Sequence, residues 1–417
     1  MFNLLSSLAF SLFFIFSGCN AAPEENNSDT QVQNHSSNMQ DTLPAVETKE
    51  PNTSYKPAFK SQTRIGGMKT KAAYEGKVLT DKLKSPWGIT TLPDGRFLIT
   101  QKAGTMVIVS GDGTVSAPIE GLPKVNDKGQ GGLLGLTVDP DFQNNRMVYW
   151  VFSDNTSEGN LTAVAKGRLS KDEKTIENAQ IIYRATPAYN GTLHYGGRIL
   201  FDKSGNLFIS TGERSDLVTR PQAQQLNSAL GKVLRITKDG KPAKGNPFEG
   251  RQGARPEIWS YGHRNVQGLA INPATGDLWE SEFGPRGGDE INLIKTGKNY
   301  GWPTITYGIE YSGKTIGEGI TQKAGMEQPV YYWDPVISPS GIVFCSSNNI
   351  PEWKNNLFVC ALSGQHIDRL RIENNKVTGE ERLLEKEGQR FRDITQGKDG
   401  NLYAVTDQGR LYKLGKK

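Results

Sequence analysis

The feature that most constrains the fold of this 417-residue sequence is a loose internal repeat that occurs six times. Each copy is expected to carry an apolar strand, a turn with Asp, Asn or Gly, a second strand and often a third. Small repeated sheets packed around an axis are typical of β-propellers, and Asp-Gly and Gly-Asn turns suit the hairpins within each blade. We therefore predict an all-β, six-bladed β-propeller, because a β-sandwich would not need six similar units. The copies lie at residues 86–99, 131–142, 197–209, 268–279, 340–359 and 392–405.

The copies are unevenly spaced, so the extra residues between them are expected to form loops. The longest insertions fall at residues 220–250 and 306–329. Long loops on a rigid β scaffold are where binding and catalytic sites are usually built. We expect these insertions to surround a functional site and to set its specificity.

The charge of the chain excludes one class of partner. The formal net charge is +5, from 49 basic and 44 acidic residues that are spread along the sequence. Nucleic-acid-binding proteins usually carry a clustered basic stripe, which is missing here. We therefore predict no nucleic-acid partner, whereas a small anion held by a few arginines fits the composition.

The N-terminus has the features of an export signal. Residues 1–18 contain no charged side chain and an apolar run too short to span a bilayer, and Cys19 follows Phe-Ser-Gly. This pattern resembles a bacterial lipoprotein signal in which Cys19 is lipidated; an ordinary signal peptide with a stray cysteine is the alternative. Residues 19–70 are polar enough to predict a flexible tether, and residues 71–417 form the propeller domain. The protein would then be exported and lipid-anchored to the cell envelope, facing the periplasm or the exterior, with no other membrane contact.

The other two cysteines, Cys345 and Cys360, lie within apolar runs. Two thiols and four histidines in the whole chain make a structural zinc site a poor fit. We expect buried free thiols, with a disulfide as the alternative if strand geometry allows one.

Several motifs stand in one order along the propeller domain, between Lys84 and Leu414. Together they resemble the soluble, PQQ-dependent aldose (glucose/sorbosone) dehydrogenases, which are six-bladed propellers that use PQQ and Ca²⁺. The resemblance therefore agrees with the repeat. The matching segments are residues 129–135, 194–198, 231–235, 262–268, 284–285, 289–292, 299–303 and 390–393.

His194 is the candidate general base. An imidazole titrates near neutral pH and can take a proton from a hydroxyl group, although a histidine in such a loop can equally bond a nearby carbonyl. The resemblance places the family's catalytic base at His194. It also places Arg264 and Asn265 beside the cofactor, where the guanidinium would stabilise negative charge on the quinone oxygen.

Arg390 and Arg392 are the candidate ligands of the cofactor carboxylates. The period of two along a strand places both arginines on one face, which would equally suit a solvated surface. Planar guanidinium groups bind carboxylates well, and PQQ is a tricarboxylate. By resemblance, Gln130 and Tyr311 also contact the cofactor. Ser363 departs from the family, which has a basic residue there, and loss of that cation would weaken PQQ binding by about 1–3 kcal/mol.

The candidate metal ligands come from the same part of the chain as Arg264. Gly284 and Pro285 offer backbone carbonyls, which are hard oxygen ligands, although a Gly-Pro pair alone also suits a plain turn. By resemblance these carbonyls hold the Ca²⁺ that contacts PQQ, and Glu290 and Tyr300 match a second, structural calcium site.

These expectations combine into one predicted activity, that of a PQQ-dependent aldose sugar dehydrogenase. It would oxidise an aldose at C1 to the lactone, with His194 as base, hydride transfer to PQQ and electrons passed to an external acceptor. The alternative is a non-catalytic propeller that binds a glycan or a protein at the cell surface. A hydrolytic lactonase on a calcium propeller is a third possibility, but it would need more carboxylates around the metal than the motifs supply. The sequence does not indicate which sugar or acceptor is used.

Overall fold

Strand pairing divides residues 43–417, the part of the chain that the computed structural model describes, into six sheets, which are antiparallel except where Gly67 pairs in parallel with Glu380. The innermost strands of the six sheets contact one another in turn around an axis. This is a six-bladed β-propeller, as predicted. Each of the six sequence repeats contains the innermost strand of one blade, and five of them also contain the strand that follows it.

The strands are numbered in chain order, and the first two precede the propeller. Strands of the first half are β1 Leu43–Ala45, β2 Gly66–Gly67, β3 Tyr74–Thr80, β4 Pro86–Thr91, β5 Phe97–Gln101, β6 Thr105–Val109, β7 Leu133–Val138, β8 Met147–Thr156, β9 Gly159–Leu169, β10 Ile176–Arg184, β11 Ile199–Phe201, β12 Leu207–Ser210 and β13 Lys232–Ile236. Strands of the second half are β14 Ile258–Tyr261, β15 Val266–Ile271, β16 Leu278–Glu282, β17 Asp289–Ile294, β18 Tyr331–Trp333, β19 Pro339–Phe344, β20 Leu357–Ala361, β21 His366–Glu373, β22 Lys376–Leu383, β23 Phe391–Gln396, β24 Leu402–Thr406 and β25 Leu411–Lys416.

The blades follow this order with one exception. Blade one is β4–β6, blade two β7–β10, blade three β11–β14, blade four β15–β18 and blade five β19–β22. Blade six consists of β23–β25 and takes β3 as its fourth strand, with Tyr412 opposite Val78. The ring is therefore closed by strands from the two ends of the domain.

Helices are short throughout residues 43–417. Within this range none has the length and apolar character that a membrane span needs. They are α1 Phe142–Asn145 and the 3₁₀ helices Arg220–Gln224, Pro351–Trp353 and Glu385–Glu387.

The hydrophobic core lies between neighbouring blades, where aromatic rings meet. Trp279 of blade four packs edge to face on Phe344 of blade five, with ring centroids 5.8 Å apart. Phe97 and Tyr403 pair across blades one and six with their rings tilted by 39° and centroids 4.3 Å apart. Such pairs add about 0.5–1.5 kcal/mol beyond the area they bury, and they hold the blades at a fixed spacing around the axis.

The structure differs from the predicted tether over residues 43–70, which we call the strap. The strap runs along blades four and five, and β1 and β2 extend the sheet of blade five. It is held by hydrogen bonds rather than by apolar side chains. The carboxylate of Asp334 accepts four hydrogen bonds, two each from Asn52 and Thr53. Gln62 is fully buried and donates to the carbonyl of Pro329 at 3.0 Å.

The predicted signal peptide, Cys19 and the rest of the predicted tether lie outside the described residues. Cys345 and Cys360 are both buried free thiols, as expected. The insertion at residues 220–250 is not only loop, because it contains the 3₁₀ helix Arg220–Gln224 and strand β13. Strand β13 went unnoticed because its apolar residues are few and stand beside Lys232 and Arg235.

Candidate active site

A cavity of about 350 Å³ opens at the end of the axis where the innermost strands begin. Residues from all six blades or the loops that lead into them line it, so no single repeat could form it. Trp87, Tyr195 and Phe283 give it an aromatic wall. Its polar lining is Lys102, Gln130, Gln267, Arg390, Arg392 and Asp407.

His194 lies in the loop that leads into blade three, directly before two residues that line the cavity. Its Nδ1 lies 2.6 Å from Oε1 of Glu213, and its backbone N–H donates to Oε1 of Gln130 at 2.8 Å. Its backbone is left-handed, with φ 47°, which is uncommon outside glycine and marks a strained, fixed position. Burial, and then the positive charge of Arg264, lower the pKa of His194 to about 4, against the opposing effect of Glu213. The ring is therefore neutral near pH 7 and can accept a proton.

The loop around His194 is shaped by a buried arginine and by a glycine. The guanidinium of Arg214 donates to the carbonyls of Leu193 and Gly191 at 2.9 and 2.6 Å, on either side of the turn. A Cβ at Gly212 would come within 2.2 Å of the carbonyl oxygen of His194, so only glycine fits there. These contacts fix the base before any substrate is bound.

Arg264 and Asn265 precede β15 and lie close to His194. The guanidinium of Arg264 donates to the carbonyls of Phe283 and Gly284 at 3.0 and 2.6 Å. Oδ1 of Asn265 accepts from the backbone N–H of Gly196 at 3.0 Å, while its Nδ2 is buried without an acceptor. A buried donor left unpaired is costly, so the Asn265 amide is ready to bind a ligand oxygen.

Arg390 and Arg392 share one carboxylate, that of Asp407. Arg392 donates to both oxygens of Asp407 at 2.8 and 3.1 Å, and Arg390 donates to one of them at 3.0 Å. Burial alone would raise the pKa of Asp407, but the two guanidinium groups, Arg392 first, hold it below its usual range. Two cations on one anion leave a net positive charge on this side of the cavity.

The four predicted metal ligands line a second, much smaller cavity of about 10 Å³, next to Arg264. The carbonyl of Gly284 already accepts from Arg264, whereas the carbonyl of Pro285 accepts no hydrogen bond from residues 43–417. The hydroxyl of Tyr300 donates to the carbonyl of Leu293, so Tyr300 is left with its backbone oxygen for a metal. Glu290 and Glu282 add two carboxylates to the lining. Burial, and then the charge of Glu282, raise the pKa of Glu290.

The turn that carries Gly284 and Pro285 is itself held by Asp289. Its carboxylate accepts the N–H of Gly284 at 2.7 Å and the N–H groups of Ile337 and Ser338 at 2.8 and 2.7 Å. Burial raises the pKa of Asp289 to about 7. Asp289 therefore acts through backbone contacts and not through a salt bridge.

Four predicted cofactor residues do not line the large cavity, namely Arg264, Asn265, Tyr311 and Ser363. Arg264 lines the smaller cavity instead. Tyr311 is 71% exposed on the loop between β17 and β18, and Ser363 bonds Ser338, with hydroxyl oxygens 2.8 Å apart. The cofactor contacts of all four stay predictions.

Three residues of the site were missed by sequence reasoning, namely Lys102, Glu213 and Asp407. Each comes from a different part of the chain from the residue it accompanies, and none stands in one of the motifs. The spacing of charges along a sequence carries no signal for such contacts, because Glu213 and Asp407 follow the second strand of a blade and meet residues at the start of its first strand only once the two strands pair.

Comparison with known proteins decides the family of the chain. The family model described as Glucose / Sorbosone dehydrogenase matches residues 83–413. The chain belongs to the glucose/sorbosone dehydrogenase family. The named relatives in this family are oxidoreductases. Aldose sugar dehydrogenase YliI of Escherichia coli is 43% identical over 343 residues, which are 81% of this chain and 92% of that protein.

Solved structures of glucose/sorbosone dehydrogenase relatives have the same fold. The apo-form of the soluble aldose sugar dehydrogenase from Escherichia coli is 41% identical, with a TM-score of 0.79, over 83% of this chain and all of that one (100%). The PQQ-bound form of aldose sugar dehydrogenase from Streptomyces coelicolor is 31% identical, with a TM-score of 0.68, over 83% of this chain and 99% of that one.

Proposed function

We propose that this chain is a PQQ- and Ca²⁺-dependent aldose sugar dehydrogenase that oxidises C1 of an aldose to the lactone. The observation that carries the proposal is the pair formed by His194 and Glu213 beside a cavity lined by cations. Among residues 43–417 the Nε2 atom of His194 has no hydrogen-bond partner. A neutral imidazole held at Nδ1 and free at Nε2 is the arrangement a general base needs.

The large cavity has the donors that a planar tricarboxylate such as PQQ requires. Arg390, Arg392 and Lys102 supply positive charge. Asn265 does not line the cavity, but it bonds Gly196, which does, and its buried Nδ2 is an unpaired donor. The aromatic wall, which includes Trp87, suits a flat conjugated ring. Arg390, Arg392, Asn265 and Gln130 would hold the cofactor, and Arg264 would lie near its quinone oxygens.

The small cavity has the oxygen atoms that a calcium ion requires. Carbonyls of Gly284 and Pro285 and carboxylates of Glu282 and Glu290 surround a space of about 10 Å³, enough for one ion. Among residues 43–417, Glu282 pairs only with His263 and no lysine or arginine pairs with Glu290, so these two carboxylates favour a bound cation. We propose that Gly284 and Pro285 hold the calcium beside the cofactor, and that Glu290 and Tyr300 belong to a structural calcium site.

In the proposed reaction the residues of the chain handle the proton and position the sugar. PQQ with its calcium supplies the two-electron acceptor to which the hydride of C1 passes. Nε2 of His194 takes the proton of the C1 hydroxyl, and Glu213 stabilises the imidazolium that results. Arg264 offers a fixed guanidinium for the negative charge that develops. Gln130 keeps the base in place through its bond to the His194 backbone.

The test is reconstitution of the purified protein with PQQ and Ca²⁺, followed by dye reduction with a panel of aldoses. We expect turnover with at least one aldose and none without PQQ. His194→Ala should lower turnover by about two to four orders of magnitude with PQQ binding nearly intact. His366→Ala is the matched control, because His366 is a buried histidine of blade five whose ring bonds the carbonyl of Gly364. No turnover with any aldose would contradict the enzymatic proposal.

A lactonase is a weaker fit. The carboxylates that converge here, Glu282 and Glu290, surround a cavity of about 10 Å³ that cannot admit a sugar lactone. A non-catalytic propeller would have no need for the pair of His194 and Glu213. Saturable, calcium-dependent PQQ uptake separates the dehydrogenase from a simple binding module.

The location and the electron acceptor remain part of the proposal. We propose an exported protein, anchored through a lipid on Cys19, that passes electrons to an external acceptor. Mass spectrometry of the mature N-terminus checks the anchor. A lipid-modified Cys19 in the wild type and its loss in Cys19→Ala are expected, and an unmodified N-terminus elsewhere in the chain would contradict it.

A further inference from the structure

A second group of metal-ligating side chains lies behind the predicted calcium ligands. It consists of His263, which precedes Arg264, and of Glu280 and Glu282, which lie two residues apart on β16. One ligand atom of each comes within 4.8 Å of the others, and all three side chains are buried. His263 and Glu280 line neither cavity described above.

The negative charge of Glu280 and Glu282 is not neutralised by the side chains around them. Within residues 43–417 no lysine or arginine forms an ion pair with Glu280 or Glu282, and only His263 does. The nearby guanidinium of Arg264 is taken by the carbonyls of Phe283 and Gly284. Carboxylates removed from water need a cation or a proton.

Two buried oxygen atoms of the group have no hydrogen-bond partner, and they point to a missing ligand. They are Oε2 of Glu280 and Oδ1 of Asn292, and both residues are fully buried. Nδ2 of Asn292 lies 2.7 Å from Oε1 of Glu280 and 3.4 Å from Oε1 of Glu282. Because the oxygen and nitrogen of an amide are interchangeable by a flip, the same side chain can present Oδ1 to a cation held by these carboxylates.

His263 is oriented as a metal ligand. Its Nε2 lies 2.8 Å from Oγ of Ser260, and its Nδ1 faces Glu282 at 3.2 Å and Glu280 at 3.8 Å. A ligating histidine typically donates its other ring N–H to an oxygen, which fixes the tautomer and the ring plane. The ring also stacks on Tyr300, with centroids 4.7 Å apart, so it has little freedom to turn away.

We propose that His263 Nδ1, Glu280 and Glu282 bind a divalent cation, with the amide oxygen of Asn292 as a further ligand. One imidazole nitrogen with carboxylate oxygens suits a transition-type ion such as Zn²⁺ or Mn²⁺ better than Ca²⁺, which prefers oxygen ligands alone. This site goes beyond the proposed dehydrogenase function. It shares only Glu282 with the lining of the small cavity, although Nδ2 of Asn292 also donates to Oε2 of Glu290 at 3.0 Å.

The cation would fix the residues that face the cofactor. Oε2 of Glu282 accepts the backbone N–H of Arg264 at 2.6 Å and that of Asn265 at 3.4 Å. His263 is joined directly to Arg264 along the chain. An ion bound to Glu282 and His263 would therefore hold Arg264 and Asn265 in two ways. The Glu282 carboxylate bonds their backbone N–H groups, and His263 is linked to Arg264 by a peptide bond.

The test is a titration of the full chain with Zn²⁺ and with Mn²⁺, after removal of metals and in saturating Ca²⁺, without PQQ or sugar. We expect one equivalent of the added ion to bind and to raise the melting temperature. Glu280→Gln should weaken this binding about ten- to a hundredfold. Glu257→Gln is the matched control, since Glu257 is a buried carboxylate that pairs with Arg255 in another part of the fold, and it should leave the affinity unchanged.

Glu290→Gln separates the proposed site from the predicted calcium site, and it should leave Zn²⁺ and Mn²⁺ affinity within about threefold. If Glu290→Gln weakened Zn²⁺ or Mn²⁺ binding as much as Glu280→Gln, the two sets of residues would form a single site, and the proposal would be wrong. Pulsed EPR of the Mn²⁺-loaded wild type needs no variant, and it should detect one imidazole nitrogen on the metal. No uptake by the folded wild type, or Mn²⁺ without a nitrogen ligand, would also overturn it. Neither the absence of uptake nor the absence of a nitrogen ligand would contradict the proposed sugar oxidation.

Discussion

Oε1 of Glu213 lies 2.6 Å from Nδ1 of His194, and both side chains are almost wholly buried. A carboxylate in this place fixes the imidazole ring and leaves Nε2 as the free nitrogen. Glu213 is therefore a positioning residue, which acts on the substrate only through His194.

The first prediction concerns this pair. Glu213→Gln should lower kcat about ten- to a hundredfold, less than loss of the base itself, because the amide still bonds Nδ1 but does not stabilise the imidazolium. Burial and Arg264 lower the pKa of His194 to about 4 and Glu213 opposes them. The acid limb of kcat/KM should therefore lie near pH 4 in the wild type and at lower pH in Glu213→Gln. A lower rate with no shift of the limb would indicate a merely structural role.

The second prediction compares the two arginines on Asp407. The side chain of Arg392 is 14% exposed and that of Arg390 is 42% exposed. Because exposed charges are screened by water, Arg392→Met should weaken PQQ binding about ten- to a hundredfold and Arg390→Met only a few-fold. PQQ titration without substrate measures both. Equal losses would contradict the ranking.

The third prediction concerns Lys102, which lines the same cavity as the two arginines. Ser363 leaves the site without the basic residue that the family pattern places there, and Lys102 can supply that charge. Lys102→Met should weaken PQQ binding by about 1–3 kcal/mol, and Ser363→Lys should restore affinity in the Lys102→Met background. Lys128→Met is the control, since Lys128 is exposed and does not line the cavity. Unchanged affinity in Lys102→Met would remove this lysine from the site.

The fourth prediction concerns the strap. Asp334→Asn removes the charge that accepts four hydrogen bonds from Asn52 and Thr53, so the free energy of unfolding should fall by about 1–3 kcal/mol. Denaturant unfolding monitored by tryptophan fluorescence measures the change. Asp239→Asn is the control, because the Asp239 side chain is 74% exposed and its ion pair with Lys166 should contribute little. A loss no larger than in Asp239→Asn would mean that the strap adds nothing to stability.

Local patterns were sufficient for the scaffold. Alternating apolar strands and Asp-Gly turns identified the inner strands of every blade, since pairing within a blade joins segments that are close in sequence. The period of two also placed Arg390 and Arg392 on one face, where both meet Asp407.

These patterns did not identify individual side-chain contacts. Glu213 reaches His194 because strand β12 ends beside the loop that leads into β11 in the same blade, and the apolar pattern of the strands does not show which polar side chains meet there. The strap was taken for part of an unfolded tether because the residues up to about Pro57 are mostly polar, yet residues such as Gln62 order it through buried hydrogen bonds. Amino-acid composition indicates how much apolar surface a segment can bury, but it does not indicate buried hydrogen bonds between polar groups.

The pairing of β3 with β25 sets the order in which this protein can be completed. Val78 leaves the ribosome more than 300 residues before Tyr412, so blade six cannot form until β25 has been made. Until then β3 is an unpaired edge, which is open to pairing with other chains. A chain that stops short of β25 is therefore an open ring with an aggregation-prone edge.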